Sequence, residues 1–215
     1  MVAVGIVVGA ISLGWLVFAH VGAEEKVTVL PPPTVNTVPP VSEFPKAAGG
    51  KVAGGPFFLV DHKGRSVSDA DFRDRFMLVF FGYTSCPDVC PTDLQVMSRA
   101  MDALGEAGDK VQPLFITFDP DRDTPEVMAD YVSNFHPRLL GLSGTKEQTL
   151  AAANAYDVDV SSTYAANDPT GTGYSMNHSA FTYLSGPDGR VRMMFRDGID
   201  GKTMAAYIGK AMNKK

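Results

Sequence analysis

Cysteine is scarce in this chain of 215 residues. Two thiols, Cys86 and Cys90, cannot staple a disulfide scaffold, and a domain of this length buries enough core to fold without one. A lone pair so closely spaced points instead to redox exchange or metal binding. Basic charge is also short. The net charge is −5, and no stripe of Lys and Arg interleaved with aromatics occurs, which argues against a nucleic-acid-binding role. Lys210, Lys214 and Lys215 at the C-terminus read as a solvated helix end. Charge is missing altogether from Met1 to Ala23, where His20 is the one titratable side chain.

That uncharged run is long enough to span a bilayer as a helix, with Trp15 and Phe18 placed for an interface. The competing reading is a secretory signal with Val21-Gly22-Ala23 as its cleavage site. Either reading puts the rest of the chain outside the cytoplasm, in the bacterial periplasm or an equivalent compartment. Proline follows in quantity: Pro31-Pro32-Pro33 and Pro39-Pro40 prevent a helix and favour a semi-rigid extended spacer. With the Gly-rich stretch behind it, Glu24–Gly54 reads as a linker, and the compact domain is expected over Gly55–Lys215.

Within that domain strand and helix patterns alternate. Phe57–Val60 reads as a strand closed by the turn Asp61-His62-Lys63-Gly64. Phe76–Phe81 is a short apolar run of the kind buried on both faces. A helix is expected from about Pro91 to Leu104, then a buried strand over Leu114–Phe118. Asp123-Thr124-Pro125-Glu126 opens a helix that runs to about Phe135, and Thr145-Lys146-Glu147-Gln148 is a capping box for the next. Leu139–Leu142 is a short strand, and Tyr164–Ser175 has the composition of a loop. Gly186-Pro187-Asp188-Gly189 joins Ala180–Leu184 to Val191–Phe195 as a hairpin, and Lys202–Met212 closes the chain as a helix. This order predicts an α/β fold of thioredoxin-like type: a central mixed sheet with helices on both faces, a C-terminal β-hairpin and a final helix. A flavodoxin-like sheet would need the last strands parallel, which the tight turn forbids.

The cysteines fall where a buried strand passes into a helix, in Phe81-Gly82-Tyr83-Thr84-Ser85-Cys86-Pro87-Asp88-Val89-Cys90-Pro91. Ligands of open α/β sheets bind at such carboxyl ends of strands. Pro91 puts Cys90 at the helix start, so free N–H groups and the positive end of the dipole favour thiolate, while Asp88 opposes it. The plainer alternatives are two small buried residues or a structural disulfide. Among the four histidines, His20 is in the apolar run, His62 is expected in a solvated turn, and His136 beside helix carbonyls. His178 precedes the hairpin strand, which in a thioredoxin-like sheet faces the cysteine turn. Cys86, Cys90 and His178 would form a soft, low-coordinate set suited to Cu(I), and to Cu(II) if an oxygen joins. Zinc more often takes four ligands, or three with a water.

These segments, with Asp119-Pro120-Asp121-Arg122-Asp123-Thr124-Pro125, Phe135-His136-Pro137-Arg138, His178-Ser179 and Tyr183-Leu184, resemble the Sco/SenC family of copper chaperones for cytochrome c oxidase assembly. The resemblance covers about Gly55 to the C-terminus. It implies a thioredoxin-like fold, an N-terminal membrane anchor, copper on Cys86, Cys90 and His178, and delivery to the dinuclear copper site of oxidase subunit II. It also implies that Asp119 is an acid beside the metal; the plainer reading is that Asp119 caps the helix that follows. One departure stands out: Asn177 occupies a position that is usually Asp, which removes a charge next to the histidine. A second hypothesis is a thiol–disulfide oxidoreductase that reduces the cysteines of the oxidase copper site with Cys86 and Cys90 as its redox pair. A peroxiredoxin is disfavoured, since neither cysteine follows a Pro-x-x-x-Thr-x-x-Cys arrangement.

Overall fold

A computed structural model describes residues 41–43, 53–164, 174–178 and 181–213, with side chains over 53–160 and 181–213. The expectations for Met1–Ala23 and most of Glu24–Gly54 lie outside the described residues. Among those described, no helix is long and apolar enough to cross a membrane.

The strands are β1 (Val41–Glu43), β2 (Phe58–Asp61), β3 (Ser66–Ser68), β4 (Phe76–Gly82), β5 (Val111–Thr117), β6 (Leu140–Ser143), β7 (Val160–Tyr164), β8 (Tyr174–His178), β9 (Phe181–Ser185) and β10 (Val191–Arg196). The helices are α1 (Val89–Leu104), α2 (Pro125–Val132), α3 (Lys146–Ala155) and α4 (Gly201–Asn213). Eight strands form one sheet in the order β1-β10-β9-β4-β5-β6-β2-β3. Its centre, β4-β5-β6, is parallel through α1 and α2; β9 runs antiparallel to β4, as the thioredoxin-like reading requires.

Local chemistry accounts for most boundaries. Thr124 caps α2, its hydroxyl accepting from Val127 N–H, and Pro125 takes the first helical position, where no amide partner is needed. Thr145 and Gln148 close the expected capping box on α3. The β9–β10 turn closes with Gly189 N–H on Gly186 O at 2.8 Å, and Gly189 sits at φ 78°, a region glycine enters without steric penalty.

β4 is buried on both faces, and its alternation sorts two aromatic layers. Phe80 stacks on Phe115 on one side, where Tyr131 of α2 covers Phe115. Phe81 meets Tyr183 and Tyr156 on the other, just beyond α3. Sheets covered on both faces need this kind of apolar run.

Two features differ from the sequence reading. Val41–Glu43, inside the stretch read as spacer, adds an antiparallel edge strand against β10. The segment read as a loop is flanked by β7 and β8, which pair as a two-stranded ribbon separate from the main sheet. Residues 165–173, between those strands, lie outside the described residues.

Candidate metal centre

The register brings the candidate loops to one end of the sheet. β4 and β5 finish together, Gly82 opposite Thr117, and β9 begins beside them, with Thr182 opposite Phe80. The Cys86–Cys90 turn therefore leaves the sheet where the chain after His178 enters it. His178 ends β8 opposite Val160, three residues before Phe181, so their Cα atoms are no more than about 11 Å apart. The imidazole itself lies outside the described side chains. Among the described residues no three His, Cys, Asp or Glu form a metal-holding group.

Neither cysteine is in a disulfide. Cys86 closes a turn with its N–H on Tyr83 O at 3.2 Å and is half-buried; Cys90 is the second residue of α1 and fully buried. The two sulfurs share a hydrogen bond in which the Cys90 thiol donates, and the Tyr83 N–H points at the Cys90 sulfur. Burial dominates the electrostatics and pushes the Cys90 thiol well above its usual range. This corrects the expectation that the helix end would favour thiolate: the amide donor acts in that direction, but desolvation outweighs it. A bound cation would reverse the balance, because metal binding requires the thiolate.

Gly82 makes this burial possible. A Cβ at that position would lie 2.8 Å from Cys90 Sγ and 2.9 Å from Phe115 Cε2, closer than side chains tolerate.

The acids fall differently from the sequence reading. Asp88 is exposed and makes no capping bond. Asp93, one turn on from Cys90 along α1, is the buried acid that opposes thiolate formation. Burial, and then the Asp197 carboxylate, push its carboxyl up to about 7. Asp119 is buried and pairs with Arg122, whose guanidinium lies over the Tyr83 ring at 5.5 Å. It does not cap α2, since Thr124 does.

Asp123, read from sequence as part of a helix start, is the main structural tie of the site. It is completely buried. Its carboxylate accepts from Thr84 N–H at 3.0 Å, Thr84 Oγ1 at 2.5 Å and Thr117 Oγ1 at 2.5 Å. Its backbone carbonyl accepts from Ser143 Oγ at 2.7 Å. The cysteine turn is thereby fastened to the ends of β5 and β6. Burial raises the Asp123 carboxyl above its usual range, and the three donors pull it down.

The other described histidine rings are engaged away from this end of the sheet. His62 is half-buried rather than solvated, and its Nδ1 accepts from Gly141 N–H at 3.1 Å. His136 Nδ1 accepts from Arg138 N–H at 3.2 Å, and its backbone N–H donates to Ser98 Oγ rather than to a helix carbonyl.

The fold has counterparts among known proteins. Residues 45–213 match the family model described as SCO1/SenC. The chain belongs to the SCO1/SenC family. It is 41% identical over 157 residues to Protein sco1 of Schizosaccharomyces pombe, covering 73% of this chain and 59% of that protein. It is 44% identical over 165 residues to the human protein named SCO2 homolog, mitochondrial, covering 76% of this chain and 59% of that one. The match thus spans less than two thirds of either relative. Among solved structures, Bradyrhizobium japonicum ScoI with copper bound superimposes with a TM-score of 0.67 at 39% identity, covering 74% of this chain and 98% of that one. Yeast Sco1 with copper bound gives 0.69 at 36%, covering 76% and 90%. The thioredoxin-like architecture expected from sequence is the one these Sco/SenC relatives share.

Proposed function

We propose that this Sco/SenC protein is a metallochaperone that carries copper on Cys86, Cys90 and His178 and hands it to the dinuclear copper site of cytochrome c oxidase subunit II. The observation that carries the reading is the pair of hydrogen-bonded thiols at the mouth of α1, beside the point where the chain from His178 joins β9. Two thiolates and an imidazole form a soft set that suits Cu(I) and accepts Cu(II) with an added oxygen. Solved relatives with copper bound support the choice of metal. Asp119, held by Arg122 near the turn, serves as an outer acid. The domain works outside the cytoplasm, tethered to a membrane through Met1–Ala23.

Transfer would proceed by ligand exchange, one sulfur at a time, to reduced cysteines on the partner. The half-buried Cys86 is the sulfur a partner reaches first, and Cys90 is the retaining one.

The test is copper titration of the reduced chain, with X-ray absorption to count neighbours, in wild type and His178→Ala. Two sulfurs and one nitrogen in wild type, with loss of the nitrogen and weaker binding in the variant, is the expected result. Equal retention in the variant refutes His178 as a ligand. A second reading, thiol–disulfide oxidoreductase, is favoured by the sulfur–sulfur hydrogen bond, which places the pair for disulfide closure. Thiol exchange that survives in His178→Ala while copper binding falls would show that the chain can serve both roles.

A further inference from the structure

Tyr83 is the residue on which the thiol turn begins. It follows Gly82, the last residue of β4, and its carbonyl accepts from the Cys86 N–H at 3.2 Å. That bond closes the turn and sets where Cys86 leaves it. The Tyr83 ring is buried and is covered by two residues of the loop after β5. Phe118 packs on it with ring centroids 5.7 Å apart, and the Arg122 guanidinium carbon lies 5.5 Å from its centroid.

Covering a ring with arginine has a desolvation cost. The Arg122 side chain is 27% exposed and that of its partner Asp119 only 3%, so two charges are largely withdrawn from water. An apolar side chain would cover the ring without that cost. What the guanidinium adds is aim. Its Nε donates to Asp119 Oδ2, and Asp119 is itself fixed. The Asp119 N–H donates to Thr117 Oγ1 at 2.9 Å, and its carbonyl accepts from Arg122 N–H at 3.2 Å and Asp123 N–H at 3.0 Å. A planar guanidinium can pair with a carboxylate through its edge and press on an aromatic through its face at once. The ammonium of lysine is a point charge without these two directions. Contact therefore runs from the end of β5 through Asp119, Arg122 and Tyr83 to Cys86. This path is separate from the Asp123 tie, which reaches the turn at Thr84.

We propose that Arg122 is a positioning residue for Cys86: aimed by Asp119, its guanidinium clamps the Tyr83 ring, so that the Tyr83 carbonyl holds the Cys86 N–H and fixes the sulfur that a soft cation meets. The effect on the metal rests on the copper-carrying reading; the effect on the turn does not. A ligand already held in place loses less freedom on binding, so the clamp favours the loaded state.

The experiment compares the reduced full chain with Arg122→Lys, Asp119→Asn and the double variant, by amide hydrogen exchange at single-residue resolution. In Arg122→Lys the Cys86 N–H should exchange about fivefold faster, as for one weakened hydrogen bond, while the Thr84 N–H, held by Asp123, keeps its wild-type rate. The urea midpoint should stay within about 0.5 M of wild type. Cu(I) affinity, by competition with a chromophoric chelator, should be about tenfold weaker. Asp119→Asn removes the aim and leaves the cover. It should speed the same amide, and the double variant should exchange no faster than the faster single one, since both changes open one clamp. Wild-type exchange of Cys86 in both single variants overturns the proposal, as does additive acceleration in the double variant. Faster exchange of Cys86 and Thr84 together, with a lowered midpoint, also overturns it by showing a general structural role. So does faster Cys86 exchange with undiminished copper affinity. If the wild-type chain takes up no copper at the thiols, the metallochaperone reading fails, and Cys86 exchange alone decides Arg122: acceleration confined to that amide supports the clamp, and equality overturns it.

Discussion

Replacing Asp123 with alanine should loosen the site more than any other single change on the β5–α2 loop. The substitution leaves Thr84 N–H, Thr84 Oγ1 and Thr117 Oγ1 buried without their acceptor. An unsatisfied buried group costs about 1–3 kcal/mol, so three would sum to several. The two hydroxyls can turn to other acceptors while the amide cannot, which brings the expected loss to about 4 kcal/mol. With a urea dependence of about 2 kcal/mol per molar for a domain of this size, the unfolding midpoint should fall by about 2 M. The control is Asp123→Asn. The carboxamide oxygen can keep the Thr84 amide and Thr117 hydroxyl, and its NH2 can donate to a reversed Thr84 hydroxyl, so this change should cost about 1–2 kcal/mol. Urea titration of the reduced chain by far-ultraviolet circular dichroism measures both. Because Thr84 is two residues before Cys86, Asp123→Ala should also weaken copper binding by about tenfold or more, on the precedent of mutated supports around metal ligands. An alanine variant within about 0.5 M of the wild-type midpoint and with unchanged copper affinity would show that Asp123 does not hold the turn.

Three further outcomes follow from the same geometry. Gly82→Ala drives a methyl against Cys90 Sγ and Phe115; it should destabilise the chain by about 1–3 kcal/mol, measured by thermal unfolding, and a neutral result would contradict the packing described. Asp93 holds its proton in the folded chain up to about 7, whereas an unfolded carboxyl releases it near 4. The folded state therefore binds the extra proton, and stability should fall as pH rises from about 4 to about 7. Asp93→Asn should remove that fall, gaining on the order of 2 kcal/mol at pH 8 and nothing at pH 4, half the unrelaxed figure; parallel pH profiles for the two proteins would exclude the assignment. Limited alkylation of the reduced protein at pH 8, followed by peptide mass spectrometry, should label half-buried Cys86 at least about tenfold faster than Cys90. Equal labelling would mean that the first turn of α1 opens readily.

What could be read directly from the sequence was chemistry that acts over a few residues. Thr124-Pro125 and the Thr145–Gln148 box mark helix starts wherever they occur, and the Gly186–Gly189 turn dictates an antiparallel return. The run at Phe76–Phe81 is apolar on both faces and so can only be central. The β7–β8 ribbon was missed because Val160-Ser161-Ser162-Thr163 and Tyr174-Ser175-Met176-Asn177 show no apolar alternation in sequence, although their backbones pair. β1 was missed because its neighbours are prolines and the strand exists only where β10 offers an edge. At the site, residue types and order pointed to the two thiols, but not to the balance between dipole and desolvation at Cys90. Asp123 looked like a helix start because its neighbours are one; its real partners are Thr84, 39 residues back on the β4–α1 turn, and Thr117, six residues back at the end of β5. Asp93 carried no motif, although three-residue spacing from Cys90 was enough to put Asp93 on the same side of α1.

The antiparallel seam between β4 and β9 has one more implication, for quality control. Cys86 and Cys90 are near neighbours along the backbone, so a nascent or damaged polypeptide already offers a two-sulfur chelate. On the copper-carrying reading proposed above, an imidazole from position 178 could join it only after that seam has zipped and carried a remote stretch of chain to the same rim. Full coordination would then certify that the polypeptide has finished folding, and a misassembled copy would surrender its cargo more readily than an intact one.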